Sequence, residues 1–173
     1  PYNDGNGTDS GHVSIFKNVN NTWTQVGSDI DGEASNDISG YSVSLSGDGN
    51  VVAIGAPVNN DNGTESGHVR IFKNVNNTWT QIGSDIDGEA SNDISGYSVS
   101  LSNDGSVVAI GATGNDDNGT NSGHVRIFKN INDSWTQIGG DIDGEASNDL
   151  SGSSVSLSGD GNVVAIGAPV NND

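Results

Sequence analysis

The chain has 173 residues, of which 23 are acidic and 5 are basic, so its formal net charge is −18. This charge argues against nucleic acids and anionic lipid surfaces as partners. There is no cysteine, which excludes disulfides and thiolate catalysis. No apolar stretch approaches the roughly 20 residues of a membrane span, so we expect no membrane insertion. Glycine is abundant, yet Val, Ile and Trp recur at regular intervals, which favours a loop-rich β protein over a disordered chain.

The sequence repeats itself with a period of 56 residues. Residues 1–56, 57–112 and 113–168 are three copies, and residues 169–173 open a fourth. The first two copies differ at only 8 of 56 positions, so identity between copies does not identify functional residues. We treat 1–173 as one segment built from these repeats.

The first half of each copy predicts two strands. In the first copy a polar loop at 1–10 precedes a strand at His12–Lys17, and a turn then leads to a second strand at Trp23–Ile30. The second strand carries the most polar residues, which places it at a sheet edge. An acidic loop, 31–39, follows it.

The second half of each copy predicts a tight hairpin. Val43 and Leu45 alternate with serines, which indicates one apolar and one hydroxyl-bearing face. Asp48-Gly49 supplies the turn, since glycine favours the positive φ that tight hairpins need. The continuous apolar run Val51–Ala56 then predicts a strand buried on both faces.

Four short antiparallel strands in each 56-residue repeat are typical of a β-propeller blade, so we expect an all-β fold made of such blades. The small residues Ser42, Ser44 and Gly55 suit crowded inner strands. Three tryptophans, one per repeat, are expected to pack between neighbouring sheets; these are Trp23, Trp79 and Trp135.

Counting strands predicts an incomplete ring. The chain begins with two outer strands, continues through two complete blades at Tyr41–Ile86 and Tyr97–Ile142, and ends with two inner strands. Three blades are too few for a propeller, which uses about 4 to 8. We therefore expect a segment of a larger ring of about six or seven blades, or an array, that pairs with further repeats or with other copies of the protein.

Three short motifs resemble the FG-GAP repeats of integrin α-subunit propellers: Gly40-Tyr41, then Gly55-Ala56-Pro57, then Gly67-x-Val69-x-Ile71-Phe72. Tyrosine replaces the family's phenylalanine, and the order of the pair is reversed. The Ser-x-Asp-Gly turn is also similar to the inner hairpin of WD40-like propellers. The resemblance implies an extracellular or cell-surface structural or adhesive module that interacts with proteins or glycans.

The same resemblance implies a calcium loop, Asp-x-Asp-x-Asp-Gly, in the hairpin turn. Here that turn has one carboxylate, Asp48, and cannot supply the roughly 6 to 8 oxygens that Ca²⁺ prefers.

Other acidic residues are candidate Ca²⁺ ligands. Asp29 and Asp31 would project to one face of a strand, and Asp116-Asp117 form the densest oxygen cluster in the polar loops. The copies of the first pair are Asp85, Asp87, Asp141 and Asp143. The alternative is a solvated sheet edge whose charges prevent edge-to-edge pairing. The copies of His12, which are His68 and His124, each begin a strand next to glycine, a position that favours a packing role.

Six Asn-x-Ser/Thr triplets occur in predicted loops, where glycans would be tolerated in a secreted eukaryotic protein. They begin at Asn6, Asn20, Asn62, Asn76, Asn118 and Asn132.

Two other classes of function stay open. A carbohydrate-binding three-fold β domain, such as a β-trefoil or β-prism, also uses three four-stranded units. An enzyme is the second alternative, but near-equal copies argue against it, because catalysis needs one asymmetric constellation. We predict no catalytic residues.

Overall fold

The computed structural model describes residues 2–170, which form sixteen β-strands and no helix. All strand pairs are antiparallel, so the all-β class is confirmed. Within this described part, no helix is long and apolar enough to cross a membrane. Of residues 169–173, the predicted opening of a fourth copy, 171–173 lie outside the described range.

Two five-stranded sheets dominate the structure. The first half of the first repeat forms two small sheets, in which β1 (His12–Val13) pairs with β4 (Ile30–Asp31) and β2 (Phe16–Val19) pairs with β3 (Thr22–Gln25). The first large sheet contains β5 (Ser42–Leu45), β6 (Val51–Ala56), β7 (His68–Val75), β8 (Thr78–Gln81) and β9 (Ile86–Asp87). The second contains β10 (Ser95–Leu101), β11 (Val107–Ala112), β12 (His124–Ile131), β13 (Ser134–Gln137) and β14 (Ile142–Asp143). A last hairpin consists of β15 (Ser154–Leu157) and β16 (Val164–Gly167).

Each large sheet crosses a repeat boundary. The hairpin β5–β6 of one repeat pairs with β7 of the next, with Ala56 opposite His68, and the same register places Ala112 opposite His124. The grouping of strands that the sequence predicts, at 41–86 and 97–142, is therefore the grouping found.

The prediction of a single strand at Trp23–Ile30 is wrong. It is divided into β3 and β4, and the interruption contains Gly27 with φ of 75°. In the later repeats both pieces pair with the same neighbour, since β8 and β9 both pair with β7. Each repeat therefore has four strand positions, of which the outermost is interrupted. That strand lies at the sheet edge, as predicted.

Burial of the central strand on both faces is confirmed for β6 and β11. Val52 and Ile54 of β6 belong to one apolar cluster with Val13 and Ile15 from the earlier strands of the same repeat. The alternate residues of β6 belong to a second cluster with the following sheet; they are Val51 and Ala53, packed with Val99 and Leu101. β16 lies in the same Val-Val-Ala-Ile-Gly-Ala sequence but is half exposed, because no described sheet covers its outer face. Neighbouring repeats therefore determine burial.

The hydroxyl-bearing face of the hairpin contacts the next hairpin. Ser42 Oγ donates a hydrogen bond to Gly96 O at 2.7 Å, and Ser44 Oγ accepts one from Leu101 N at 3.0 Å. A Cβ on Gly55 would collide with Gly96 O and Ser42 Oγ. Small side chains therefore allow the two hairpins to approach closely.

Two of the three tryptophans pack between sheets as predicted. Trp79 and Trp135 are partly buried against the apolar clusters, and their indole N–H groups donate to Val26 O at 2.7 Å and Ile82 O at 2.8 Å. The prediction is wrong for Trp23, which is 67% exposed. Among the described residues, no backbone oxygen accepts a hydrogen bond from the Trp23 indole N–H as Val26 O does from that of Trp79.

Replacing Trp135 with Phe should lower the free energy of unfolding by about 1 kcal/mol or more, because Ile82 O loses its donor and the sheets lose contact area. Trp23→Phe is the matched control and should change it by less than about 0.5 kcal/mol. Urea unfolding followed by circular dichroism measures both variants. Equal losses in the two variants would show that the tryptophans do not hold the repeats together.

Candidate metal centres at the repeat junctions

Three carboxylates and one imidazole meet at the junction between the first and second repeats. They belong to Glu33, Asp61, His68 and Asp85, and their nitrogen and oxygen atoms lie within 4.8 Å of one another. A second cluster lies 56 residues further on and contains Glu89, Asp117, His124 and Asp141. In each cluster the glutamate comes from one repeat and the other three residues from the next. Such a group could hold a metal ion.

The fold brings these side chains together from four segments. His68 begins β7, and Asp85 lies just before β9, in the interruption of the outer strand. Asp61 lies in the loop between β6 and β7, which is anchored by the buried Asn59; its Oδ1 accepts from Asp61 N at 2.9 Å. Glu33 lies in the acidic loop after β4.

The histidine is the buried member of each cluster. His68 is 1% exposed, and its Nδ1 has no hydrogen-bond partner among the described residues. This atom lies 3.8 Å from Asp61 Oδ2 and 4.0 Å from Glu33 Oε2, beyond hydrogen-bond distance. In the part of the chain that the structure describes, both ring nitrogens of His124 lack a partner. An unsatisfied buried polar group costs about 1–3 kcal/mol, so these nitrogens require an explanation.

An arginine fixes the glutamate of each cluster. Arg70 Nη1 lies 3.4 Å from Glu33 Oε1, and its Nη2 donates to Asp31 O at 2.7 Å. The guanidinium also lies 5.4 Å from the ring centre of Phe72. Arg126 makes the equivalent contacts in the second cluster. Because Oε1 is paired with arginine, Oε2 of Glu33 is the oxygen that faces His68.

The first repeat differs at the same positions. Gly5 stands where Asp61 would be, and Ser14 stands in place of Arg70. Asp29 instead accepts hydrogen bonds from Ser14 Oγ at 2.5 Å and Gln25 Nε2 at 2.7 Å. The bond from Ser14 is the main reason that the pKa of Asp29 lies below its usual value. Among residues 2–56, no comparable cluster of ligands is found.

The predicted pairing of Asp29 with Asp31 on one strand face is wrong. Only Ile30 and Asp31 form β4, while Asp29 lies in the interruption. Asp31 and Asp87 contribute their backbone oxygens to the arginines, and burial raises the pKa of the Asp87 carboxyl. The predicted residues that do reach a cluster are Asp85, Asp117 and Asp141.

The remaining predicted ligands lie outside both clusters. Asp116 Oδ1 accepts from Asn121 N at 2.7 Å, which closes its own loop. Asp143 is exposed and lies opposite His124 in the strand register.

Sequence reasoning missed the glutamates, the histidines and Asp61 as ligands. The available signal was the combination of the 56-residue period with sheets that cross the repeat boundary. Together these place position 33 of one copy beside positions 5, 12 and 29 of the next. The packing role expected for His68 accounts for its burial but leaves its Nδ1 unexplained.

The hairpin turn uses its single carboxylate internally. Asp48 accepts hydrogen bonds from Asn50 N at 2.9 Å, Ser46 Oγ at 2.7 Å and Asn50 Nδ2 at 2.9 Å. These bonds, led by that from Asn50 N, lower the pKa of Asp48 to about 2. The carboxylate therefore closes the turn.

The six glycosylation triplets fall into two structural groups. All six asparagines are exposed. Asn20, Asn76 and Asn132 lie at hairpin tips with φ between 52° and 54°. The side-chain nitrogens of the other three donate to the backbone oxygens of glycines in the acidic loops; these asparagines are Asn6, Asn62 and Asn118.

Comparison with known proteins identifies a repeat family and a similar fold. A family model described as FG-GAP repeat matches residues 28–72 and 85–128, which is 45 plus 44 residues and just over half of the chain. No curated protein matches the chain at a significant level. A solved structure from Bacteroides fragilis, described as a candidate 6-phosphogluconolactonase, is similar, with a TM-score of 0.53 and 17% sequence identity. The match covers 81% of this chain but only 36% of that one, and the likeness concerns the fold alone.

Replacing Asp48 with Asn should destabilise the chain at neutral pH by about 1 kcal/mol or less, since the turn loses a charged acceptor at the surface. The folded pKa is depressed to about 2 from 3.8, so this contribution is present above pH 4 and is lost as the pH falls towards 2. Urea midpoints at pH 7, 4 and 2.5 measure the difference. Asp133→Asn is the control, because the other repeats already carry Asn21 and Asn77 there. If the difference in urea midpoint between Asp48→Asn and the original chain does not change with pH, the pH-dependent contribution does not come from the Asp48 carboxylate.

Proposed function

The chain belongs to the FG-GAP repeat family, and on this basis we propose that it is a segment of a β-propeller that acts as a structural and adhesive module outside or on the surface of the cell. In this role it binds proteins or glycans and catalyses no reaction. One observation carries the proposal, namely that the contacts between successive repeats recur with the same 56-residue period as the sequence.

The recurring contacts join each sheet to the next. Arg70 Nη2 reaches Asp31 O, and Arg126 Nη2 reaches Asp87 O, 56 residues further on. The hydrogen bonds from Trp79 to Val26 O and from Trp135 to Ile82 O recur in the same way. Packing in which each unit contacts its neighbour through one repeated surface supports a propeller or an array of blades.

The same packing suggests a surface for partners. The loops after the central strands, 57–66 and 113–122, lie at the end of the sheets opposite to the hairpin turns. They contact the acidic loops, since Asn62 Nδ2 donates to Gly88 O and Gly114 N donates to Asp93 O. This loop end carries many exposed Asp, Glu and Asn side chains, which suits hydrogen bonding to extracellular proteins or to glycan hydroxyls. Other copies of the protein or its further repeats are partners through the sheet edges.

The extracellular location gives a role to the exposed triplets. We expect glycans on the hairpin tips at Asn20, Asn76 and Asn132, where the side chain is not needed to hold a loop. When the chain is secreted from a eukaryotic host, its intact mass should then exceed the 17.6 kDa of the polypeptide by hexose-containing increments. An unmodified mass would contradict this part of the proposal.

A glycan array and a panel of extracellular matrix proteins test the adhesive role. The chain should bind at least one probe saturably, and the double variant Asp9→Asn, Glu65→Asn should bind more weakly if the loop end makes the contact. Asp9 and Glu65 occupy equivalent positions, at which the third repeat already carries Asn121, so the fold accepts the change. Asn103→Gly alters the opposite end of the sheets, where the other repeats have Gly47 and Gly159, and should leave binding unchanged.

If the chain binds no probe on the glycan array or in the protein panel, the adhesive role is contradicted. Binding to glycans alone would instead favour the carbohydrate-binding alternative.

A further inference from the structure

We propose that each of the two repeat junctions binds one divalent cation of the zinc class, held by one histidine and three carboxylates. The ligands are Glu33, Asp61, His68 and Asp85 at the first junction, and Glu89, Asp117, His124 and Asp141 at the second. The proposal concerns the cohesion of the repeats and does not depend on the adhesive role.

The first argument is the buried imidazole. His68 is 1% exposed and directs an unbonded Nδ1 towards two carboxylates. A charged imidazolium paired with these groups would still leave its N–H without a hydrogen bond, because the distances of 3.8 Å and 4.0 Å are too long. A cation between the ring and the carboxylates satisfies all of them at once. His124 is a second instance with a different loop sequence, since its Nδ1 is also unbonded and lies 4.0 Å from Glu89 Oε2.

The second argument is the chemistry of the ligand set. One imidazole nitrogen and three carboxylates make four ligands, which matches the tetrahedral nitrogen and oxygen coordination of Zn²⁺. Calcium prefers about 6 to 8 oxygen ligands and does not favour imidazole. The side chains of Glu33 and Asp61 are 40% and 59% exposed, so their carboxylates are free to close on the fixed ring. The junction therefore selects zinc over calcium.

The third argument is the charge and orientation of the ligands. Three carboxylates and one arginine give the cluster a net charge of −2 when the imidazole is neutral, which a divalent cation balances. Arg70 holds Oε1 of Glu33, and Gln81 Nε2 donates to Asp85 Oδ1 at 2.5 Å. Each of these carboxylates thus has one oxygen oriented by an outer partner and the other available, as in metal sites with a supporting second shell.

The position of the cluster gives the cation a structural role. Glu33 belongs to one repeat and the other three ligands to the next, so the ion would cross-link two repeats. Because Gly5 replaces the loop aspartate in the first repeat, the chain should bind two ions and not three. A ligand that binds only the folded state also stabilises it.

Calorimetric titration of the chelator-treated chain with ZnCl₂ and, separately, with CaCl₂ tests the proposal. We expect two Zn²⁺ per chain and Ca²⁺ affinity at least a hundredfold lower. Asp61→Gly should reduce the number to one, and Asp61→Gly combined with Asp117→Gly should abolish binding. Glycine already occupies this position in the first repeat, so these variants are expected to fold, which circular dichroism without metal verifies.

The charge-matched control is Asp133→Asn, which removes one exposed carboxylate outside both clusters and should leave two sites. Zn²⁺ should also raise the melting temperature of the original chain and of this control, but not that of the double glycine variant. The proposal is overturned if Zn²⁺ does not bind, if Ca²⁺ binds as tightly, or if the double variant retains both sites. Probe binding on the array is measured with chelator-treated chain, so that a failure of zinc binding and a failure of the adhesive role can be distinguished.

Discussion

The structure depends on one constraint, which is that a sheet with two apolar faces must be covered on both. β6 presents Val52 and Ile54 to the earlier strands of its own repeat and Val51 and Ala53 to the following repeat, and all four are buried. No single repeat can satisfy this requirement, so stability comes from neighbours as in other repeat proteins. The sheets that cross each repeat boundary, the small serine and glycine side chains and the bridging tryptophans all serve this contact.

The same constraint explains why polar groups collect at the junctions. Where β7 enters the sheet, its partner strand and the preceding repeat enclose the first side chains, and the fold buries His68 and Arg70 there. The arginine has backbone and carboxylate partners from the preceding repeat, whereas the histidine has only carboxylates at a distance. Packing between repeats thus creates a polar cluster that neither repeat contains alone. This explains why the first repeat, with Gly5 and Ser14, lacks it.

The sequence predicts the local features well and the junction features poorly. Alternation in 43–45, the Asp48-Gly49 turn and the run Val51–Ala56 define the hairpin, because strand periodicity and turn chemistry are local. The exposure of Trp23 could not be predicted from its own repeat, since Trp79 is partly buried in the same local sequence, Asn-Asn-Thr-Trp-Thr-Gln. The candidate metal ligands were missed for the same reason, because Glu33 and His68 become neighbours only when two repeats pack. The strand is split at Gly27 and also at Gly139, where a Cβ would meet nothing within 4 Å, so the split is a local feature of each repeat and does not require a neighbouring tryptophan.

Native-state hydrogen exchange tests the dependence on neighbours most directly. Residues 51–56, 107–112 and 163–168 share the sequence Val-Val-Ala-Ile-Gly-Ala, so their intrinsic exchange rates are nearly equal. If neighbouring repeats supply the stability, amides within 51–56 and 107–112 should exchange at least about a hundredfold more slowly than those within 164–167. Equal protection in the three segments would show that each repeat is stable by itself, and would contradict this account.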